Sequence, residues 1–500
     1  MTITGVGPQS SLVVRALGDM RSQLGDLQRQ LGTGKKSTTY AGLGIDRGLA
    51  VGLRSKLSAM SGYADAATHV GVRISLQQTA LTRIANLGST VKSAALTQRQ
   101  FNIDAGGQTP TQRAAVSQLD ELLGLLNTPA GDRYLFSGRA GDKPATETLD
   151  HILNGDGAKA GLKQFIAERN QADLGVNGLG RLAIPVAAGS QVSISEETPP
   201  TVFGMKLASV SPLNGATVTG PTGSPAGITV NFTAPPNPGD AISFSFALPD
   251  GTSEQLTLAA TNASPPAAGE FTIGADVNAT ATNLQASLTT AVQKLAATSL
   301  SAASAMAASD NFFNVDAGQP PMRVAGPPFN AATALVAGTS ANTVTWYTGE
   351  MGTDSARGTA VAKVDDALSV SYGARANEQA IRSTVASIAV YASMSFSTSD
   401  PNAQNRFDQV NQRVASALAE PSGRQKIQDI QVELAFAQTT MKDATQRQQQ
   451  RKMTLEELLQ NIEQAPLDEV SAQILALQTR LQASLQTTSM LYQMSIVNYL

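Results

Sequence analysis

The sequence predicts a multidomain α plus β chain: a long helical coiled-coil bundle built from both termini, with a β-rich (α+β) insertion at its centre. Three observations carry this. Apolar residues recur at steps of four and three near both ends, at Val13, Leu17, Met20, Leu24, Leu27 and Leu31 and again at Val470, Ile474, Leu477, Leu481 and Leu485. That is the narrow seam of a coiled coil rather than the broad stripe of a core helix. The middle alternates apolar and polar residues between Pro-Gly-Asp, Pro-Asp-Gly and Pro-Pro turns, the punctuation of short strands. With 500 residues, the chain also exceeds what one core holds.

Taken in order, residues 1–45 form an N-terminal assembly helix, ended by the glycines of "GTGKKSTTYAGLG" (32–44). Residues 46–130 form the first part of a helical bundle. A helix starting near Asp46 shows Leu49, Leu53, Leu57 and Met60, and continues through Leu81, Ile84, Leu87 and Val91. A compact helix over 109–129 has Thr109 or Thr111 as its cap, an apolar face of Leu119, Leu122, Leu123 and Leu126, and Pro129 as its stop.

Residues 131–205 read as a β-rich domain. In "GDRYLFSGR" (131–139), glycines at both ends permit tight turns, and Tyr134, Leu135 and Phe136 anchor a short strand. Tyr134, Phe136 and Gly138 thus mark a helix-to-β junction, although an ordinary buried aromatic turn has the same residues. Residues 206–345 read as an inserted α+β module: several short strands, then the Ala/Thr/Ser-rich helix 277–308 packed on them. The Pro/Gly-rich link "AGQPPMRVAGPPF" marks its boundary. Residues 346–464 form the second part of the bundle, with the Asp365–Asp366 pair on a helix, where adjacent side chains diverge. Residues 465–500 form a C-terminal assembly helix whose seam runs on through Met490, Met494 and Val497 to Leu500.

The two seams need partners. Ordering about 30 residues costs roughly 1–2 kcal/mol each in backbone entropy. Six apolar side chains at roughly 1.5–3 kcal/mol apiece do not offset this while the seam faces water. Both ends are therefore expected to fray in the monomer and to become helical by packing on each other and on neighbouring subunits. The alternative is an intramolecular bundle, in which the termini pair with inner helices and with nothing outside.

Composition narrows the function classes. The net charge of −3 comes without any block of like charge, so a nucleic-acid groove is not expected. Cysteine is absent and only His69 and His151 are present, which argues against thiolate or multi-histidine metal sites and against a bound cofactor. "LGTGKKST" (31–38) has Arg29 where a phosphate-binding loop needs its first glycine, and a helix rather than a strand precedes it. "NGDGAKAG" (154–161) lacks the alternating oxygen ligands and closing Glu of a calcium loop. No catalytic constellation emerges, and an enzyme is not expected. No run reaches the ~20 apolar residues of a membrane helix. The start lacks a basic head followed by an apolar run, so no cleavable signal peptide is expected, and the protein either stays in the cytosol or leaves by a route that reads something else.

Three stretches carry a family resemblance: "SQLGDLQRQLGTGKKSTTYAGLGIDRGLAVGLRSKL" with "ISLQQTALTRIANL" near the start, and "LQTRLQASLQTTSMLYQMSIVNYL" at the end. With the concentric plan, they resemble the bacterial flagellin and hook-associated protein 3 family. "GDRYLFSGR", "YGARANEQAIR" (372–382) and the ending "SIVNYL" are similar to features of its hook–filament junction branch. The likeness covers the outer parts of the chain and hardly touches the centre. It implies a structural, extracellular component of the bacterial flagellum, an adapter at the hook–filament junction that assembles through its terminal helices. Implied partners are copies of itself, the neighbouring hook-associated protein, flagellin and an export chaperone, with no nucleic acid and no membrane insertion. Two other readings stay open: a filament flagellin, and a surface-displayed binding module carried on a helical stalk.

Overall fold

The computed structural model describes residues 8–98, 100–316, 319–420 and 422–497, with side chains from 12 to 490. The chain is mixed α and β, with long helices and several small sheets. It divides into two compact units, one gathering the residues up to His69, Lys363–Ser369 and those from Thr439 onward, the other holding Val70–Ala362 and Val370–Gln438.

In chain order the first helices are α1 (Pro8–Thr33), α2 (Arg47–Thr97) and α3 (Pro110–Leu126). Thr109 caps α3 in a full capping box: its hydroxyl accepts from the Gln112 amide while the Gln112 side chain accepts from the Thr109 backbone. Then come β1 (Pro129–Ala130), β2 (Arg133–Tyr134), α4 (Leu149–Asn154) and α5 (Leu162–Leu174). Next are β3 (Leu182–Ala183), β4 (Gln191–Glu196), β5 (Lys206–Val210), β6 (Ala216–Thr222) and β7 (Gly227–Phe232). The central stretch closes with β8 (Ala241–Ala247), β9 (Ser253–Thr261), β10 (Glu270–Thr272), α6 (Val277–Leu295) and α7 (Ser301–Phe313). Four short strands follow, β11 (Met322–Val324), β12 (Leu335–Ala337), β13 (Val361–Lys363) and β14 (Ser369–Ser371). The chain finishes with α8 (Gln379–Ser393), α9 (Ala403–Ala417), α10 (Ile427–Glu463) and α11 (Leu467–Val497).

In the unit that holds the chain ends, α1 and α11 pair antiparallel. The segment just after α1 is tied to the junction between α10 and α11 by backbone bonds from Lys36 N to Glu463 O (2.8 Å) and from Ala465 N to Gly34 O (2.9 Å). Leu24 and Leu27 pack on Ala465, Val470 and Ile474. Arg54 holds Glu463 with two hydrogen bonds of 2.9 and 2.7 Å. The tip of the β13–β14 hairpin also belongs here: Tyr63 donates to Asp366 (2.8 Å), Arg451 pairs with Asp365 (3.3 Å), and Gln448 donates to the Val364 carbonyl. Asp365 and Asp366 therefore sit in a hairpin bend and not on a helix. The segment alternates exposed and buried residues from Val361 to Val364 and again from Ser369 to Tyr372. That is a period of two, which a search for helical spacing passes over.

In the other unit the central module is built on one core. Its sheets run β3-β4-β7-β6 and β10-β9-β8-β5, antiparallel except for β10 beside β9. Alternation sends Val192, Ile194, Ile228, Val230, Phe244 and Phe246 inward, where they meet Ala281, Leu284, Leu288 and Val292 on one stripe of α6. A π-turn at Ala296–Leu300 leads from α6 into α7, which packs on α5, α8 and α9. Thus the stretch 277–308 lies on the strands only in its first part.

Residues 131–205 hold two helices and little strand. Leu162, Phe165 and Ala172 are buried on α5, and their spacing puts them on one helical face. The module's sheets also draw β3 and β4 from before residue 206. Few as the aromatics are, five line up in one buried row. Phe165, Phe312, Phe313, Trp346 and Tyr347 follow one another with ring centroids 5.1, 5.1, 5.2 and 6.0 Å apart, spacings suited to edge-on contact.

Candidate assembly face and motif junction

Two places draw on the residues that the sequence singles out. The first is the α1–α11 pair. Pairing buries the α11 seam at Val470, Ile474, Leu477 and Leu481. On α1 the facing residues Val13, Leu17, Met20, Leu24 and Leu27 are only half-buried. Leu31 and Leu485 each remain 44% exposed and Met490 is 62% exposed. Leu500 lies outside the described residues, as do the side chains of Met494 and Val497. Four apolar residues outside the expected seam are also bare: Leu12, Val14, Leu467 and Leu475. Two helices shield only the stripe between them, so apolar residues flanking that stripe stay wet unless a further helix covers them. The sequence reading missed these four because it followed one seam per helix.

The second place is built from two motifs some 240 residues apart in sequence. In "GDRYLFSGR", Gly131 and Gly138 have φ of +69° and +64°, the left-handed conformation that glycine adopts without strain. Pro129 and Ala130 pair with Tyr134 and Arg133 across the first turn. Phe136 is fully buried, while Tyr134 is half-buried. The Phe136 carbonyl accepts from Ala376 N (2.8 Å), Gly138 N donates to the Ala374 carbonyl (3.2 Å), and the Ser137 carbonyl accepts from Glu350 N (3.0 Å). "YGARANEQAIR" therefore meets "GDRYLFSGR" at a single antiparallel bridge, Ser137 opposite Arg375, and Glu350 locks the crossing by holding both the backbone and the side chain of Arg139.

Charge follows the same pattern. Arg375 donates to the carbonyls of Gly352 (2.7 Å) and Asp354, and its backbone N–H donates to Glu378 (3.0 Å). Arg357 binds Glu378 and, at 2.9 Å, Glu433. Asn377 makes a long 3.5 Å contact to the Val315 carbonyl. Arg375 and Asn377 thus bind loop carbonyls rather than a facing helix. Beside them the Tyr347 hydroxyl is buried without a hydrogen-bond partner, and burial pushes its pKa far up. This is a structural knot of complementary charge and backbone pairing, with no nucleophile–base pair.

Among the described residues no group of three or more His, Cys, Asp or Glu side chains is placed to hold a metal ion. Nor is any described helix long and apolar enough to cross a membrane.

Compared with known proteins, residues 215–292 match the PKD domain family, a stretch well short of half the chain. Neither the curated proteins nor the solved structures contain a match to it. The matched segment takes in β6 to β10 and most of α6 but leaves out β3, β4 and β5. Yet β4 lies between β3 and β7, and β5 pairs with β8. The physical unit is therefore larger than the matched segment.

Proposed function

We propose that this chain is a structural component of the bacterial flagellum, an adapter at the hook–filament junction that assembles through coiled-coil contacts of α1 and α11 with neighbouring subunits. The observation that carries this reading is the incomplete burial of the terminal pair. Leu31, Leu485 and Met490 keep 44–62% of their surface in water even after the two ends have found each other. Apolar surface of that extent on a paired seam is what association removes.

The knot between "GDRYLFSGR" and "YGARANEQAIR" supports the same family reading, since two segments that resemble the junction branch meet in space. Partners on this reading are other copies of the chain, the adjoining hook-associated protein, flagellin and an export chaperone. The chain works outside the cell and performs no catalysis. Deleting the gene tests it. Hooks without filaments, with flagellin released into the medium, support the junction role. Intact hooks with an absent or altered filament, without such release, support a filament flagellin instead.

A second reading rests on the likeness of residues 215–292 to the PKD family, which suits an extracellular adhesion-type module. Here the helices display the central module, which binds a surface partner. Motility that survives deletion, together with lost surface adhesion, favours this reading over the first.

A further inference from the structure

A polar cleft of about 430 Å³ opens where α5 passes the loop after α8 and the start of α9. Its floor includes the buried Ser301 and Ser393, and its rim includes Lys163, Gln108 and Arg406. Both ionisable side chains on the lining are cations and neither faces a carboxylate across the cleft. Arg406 is already matched, by Asp400 at 2.5 Å and by the Ala297 carbonyl at 3.3 Å. Lys163 is not. Its ammonium donates to the neutral Asn154 Oδ1 at 2.8 Å, because Asp150 takes up the Asn154 amide and turns that oxygen towards it. The remaining ammonium hydrogens have no protein acceptor among the described residues.

The neutral groups are turned in a matching way. Asn170 Oδ1 accepts from Ser301, which leaves the Asn170 amide nitrogen as a donor. Gln108 spends its amide nitrogen on the carbonyls of Ala392 and Met394, which leaves its Oε1 as an acceptor. Ile166 and Met394 supply an apolar wall.

We propose that this cleft binds an acidic monosaccharide, its carboxylate on Lys163, its hydroxyls on Asn170 and Gln108, and its C–H face on Ile166 and Met394. A cation alone takes any small anion; the paired donor and acceptor beside an apolar wall select a polyol that carries the charge. The assignment holds whether or not the chain joins a flagellum.

Saturation-transfer NMR on the full-length protein with sodium glucuronate, glucose and sodium acetate tests it. Glucuronate should bind, and glucose should bind about ten-fold or more weakly, as should acetate. Lys163→Ala should weaken glucuronate by about ten-fold or more while Lys163→Arg largely retains it, the loss expected for one charged hydrogen bond. Lys163 is exposed on the first turn of α5, and circular dichroism checks that both variants fold. Absence of glucuronate binding, or equal binding by Lys163→Ala, overturns the site. Glucose or acetate binding as tightly as glucuronate overturns the ligand class.

Discussion

If Leu31, Leu485 and Met490 are exposed in one chain because a neighbour covers them, changing all three to Gln should separate stability from assembly. Fully burying such a side chain contributes roughly 1.5–3 kcal/mol. Scaled by the 44%, 44% and 62% that remain exposed, completing the burial yields about 1, 1 and 1.4 kcal/mol, or about 3 kcal/mol per subunit. That corresponds to about a hundred-fold in an association constant. The monomer, in contrast, should change by only about 0.5 kcal/mol per site, the usual scale for exposed substitutions. Urea unfolding of the monomer and sedimentation of assembled material measure the two quantities separately, and complementation of motility reads the consequence in cells. As a control, Ile474→Ala, at a residue 8% exposed in the α1–α11 pair, should loosen the monomer's own helix pair by about 2 kcal/mol. A triple variant that assembles as well as the unmodified protein refutes the reasoning. So does one whose monomer loses more stability than the Ile474→Ala control.

Other changes probe the second unit. A Cβ at Gly138 would lie 2.7 Å from Glu350 Oε2 on a backbone with φ of +64°, so Gly138→Ala should cost about 2–4 kcal/mol in chemical denaturation. Arg413 is buried between Asp250, at 3.0 Å, and Glu254, at 3.1 Å. Arg413→Ala leaves the buried Asp250 carboxylate uncompensated and should cost about 3–5 kcal/mol in the same assay, most of it recovered when Asp250 is also made apolar. Burial pushes the hydroxyls of Tyr347 and Tyr391 up, so the folded state holds their protons more tightly than the unfolded state does. Their contribution is complete below the ordinary tyrosine value of about 10 and is lost as pH rises through the folded values. Urea midpoints followed into alkali should fall, and Tyr391→Phe should flatten that slope.

How much of this could be read beforehand follows from the range of the forces involved. The long helices were legible because an apolar residue every three or four positions has one local explanation, and Thr109 and Thr111 announced the start of α3, the structure deciding that Thr109 is the cap. Strands β7 to β10 of the central module were legible through alternation between turn signals, whereas the register shifts in β5 and β6 break that period. Helix α5 was not, because charged and amide residues such as Glu168, Arg169 and Asn170 interrupt its apolar face. Glu168 is buried by pairing with Arg323, from a strand far along the chain. The β13–β14 hairpin was missed for a related reason. Three-residue strands carry too few alternations to outweigh the helical signal on either side, and their tip is held by Tyr63 and Arg451.

On its own the sequence determined the helical ends, the strand-rich centre, the positions of the turns and the lack of cysteine chemistry, since each depends on neighbours within a few residues. Only the tertiary structure decided that α1 pairs with α11, that Phe136 and Ala376 share a hydrogen bond, and which residues of each seam remain wet. Local patterning states that a face is apolar. The partner that covers it is chosen by packing over hundreds of residues, where the geometry of the whole chain sets the outcome.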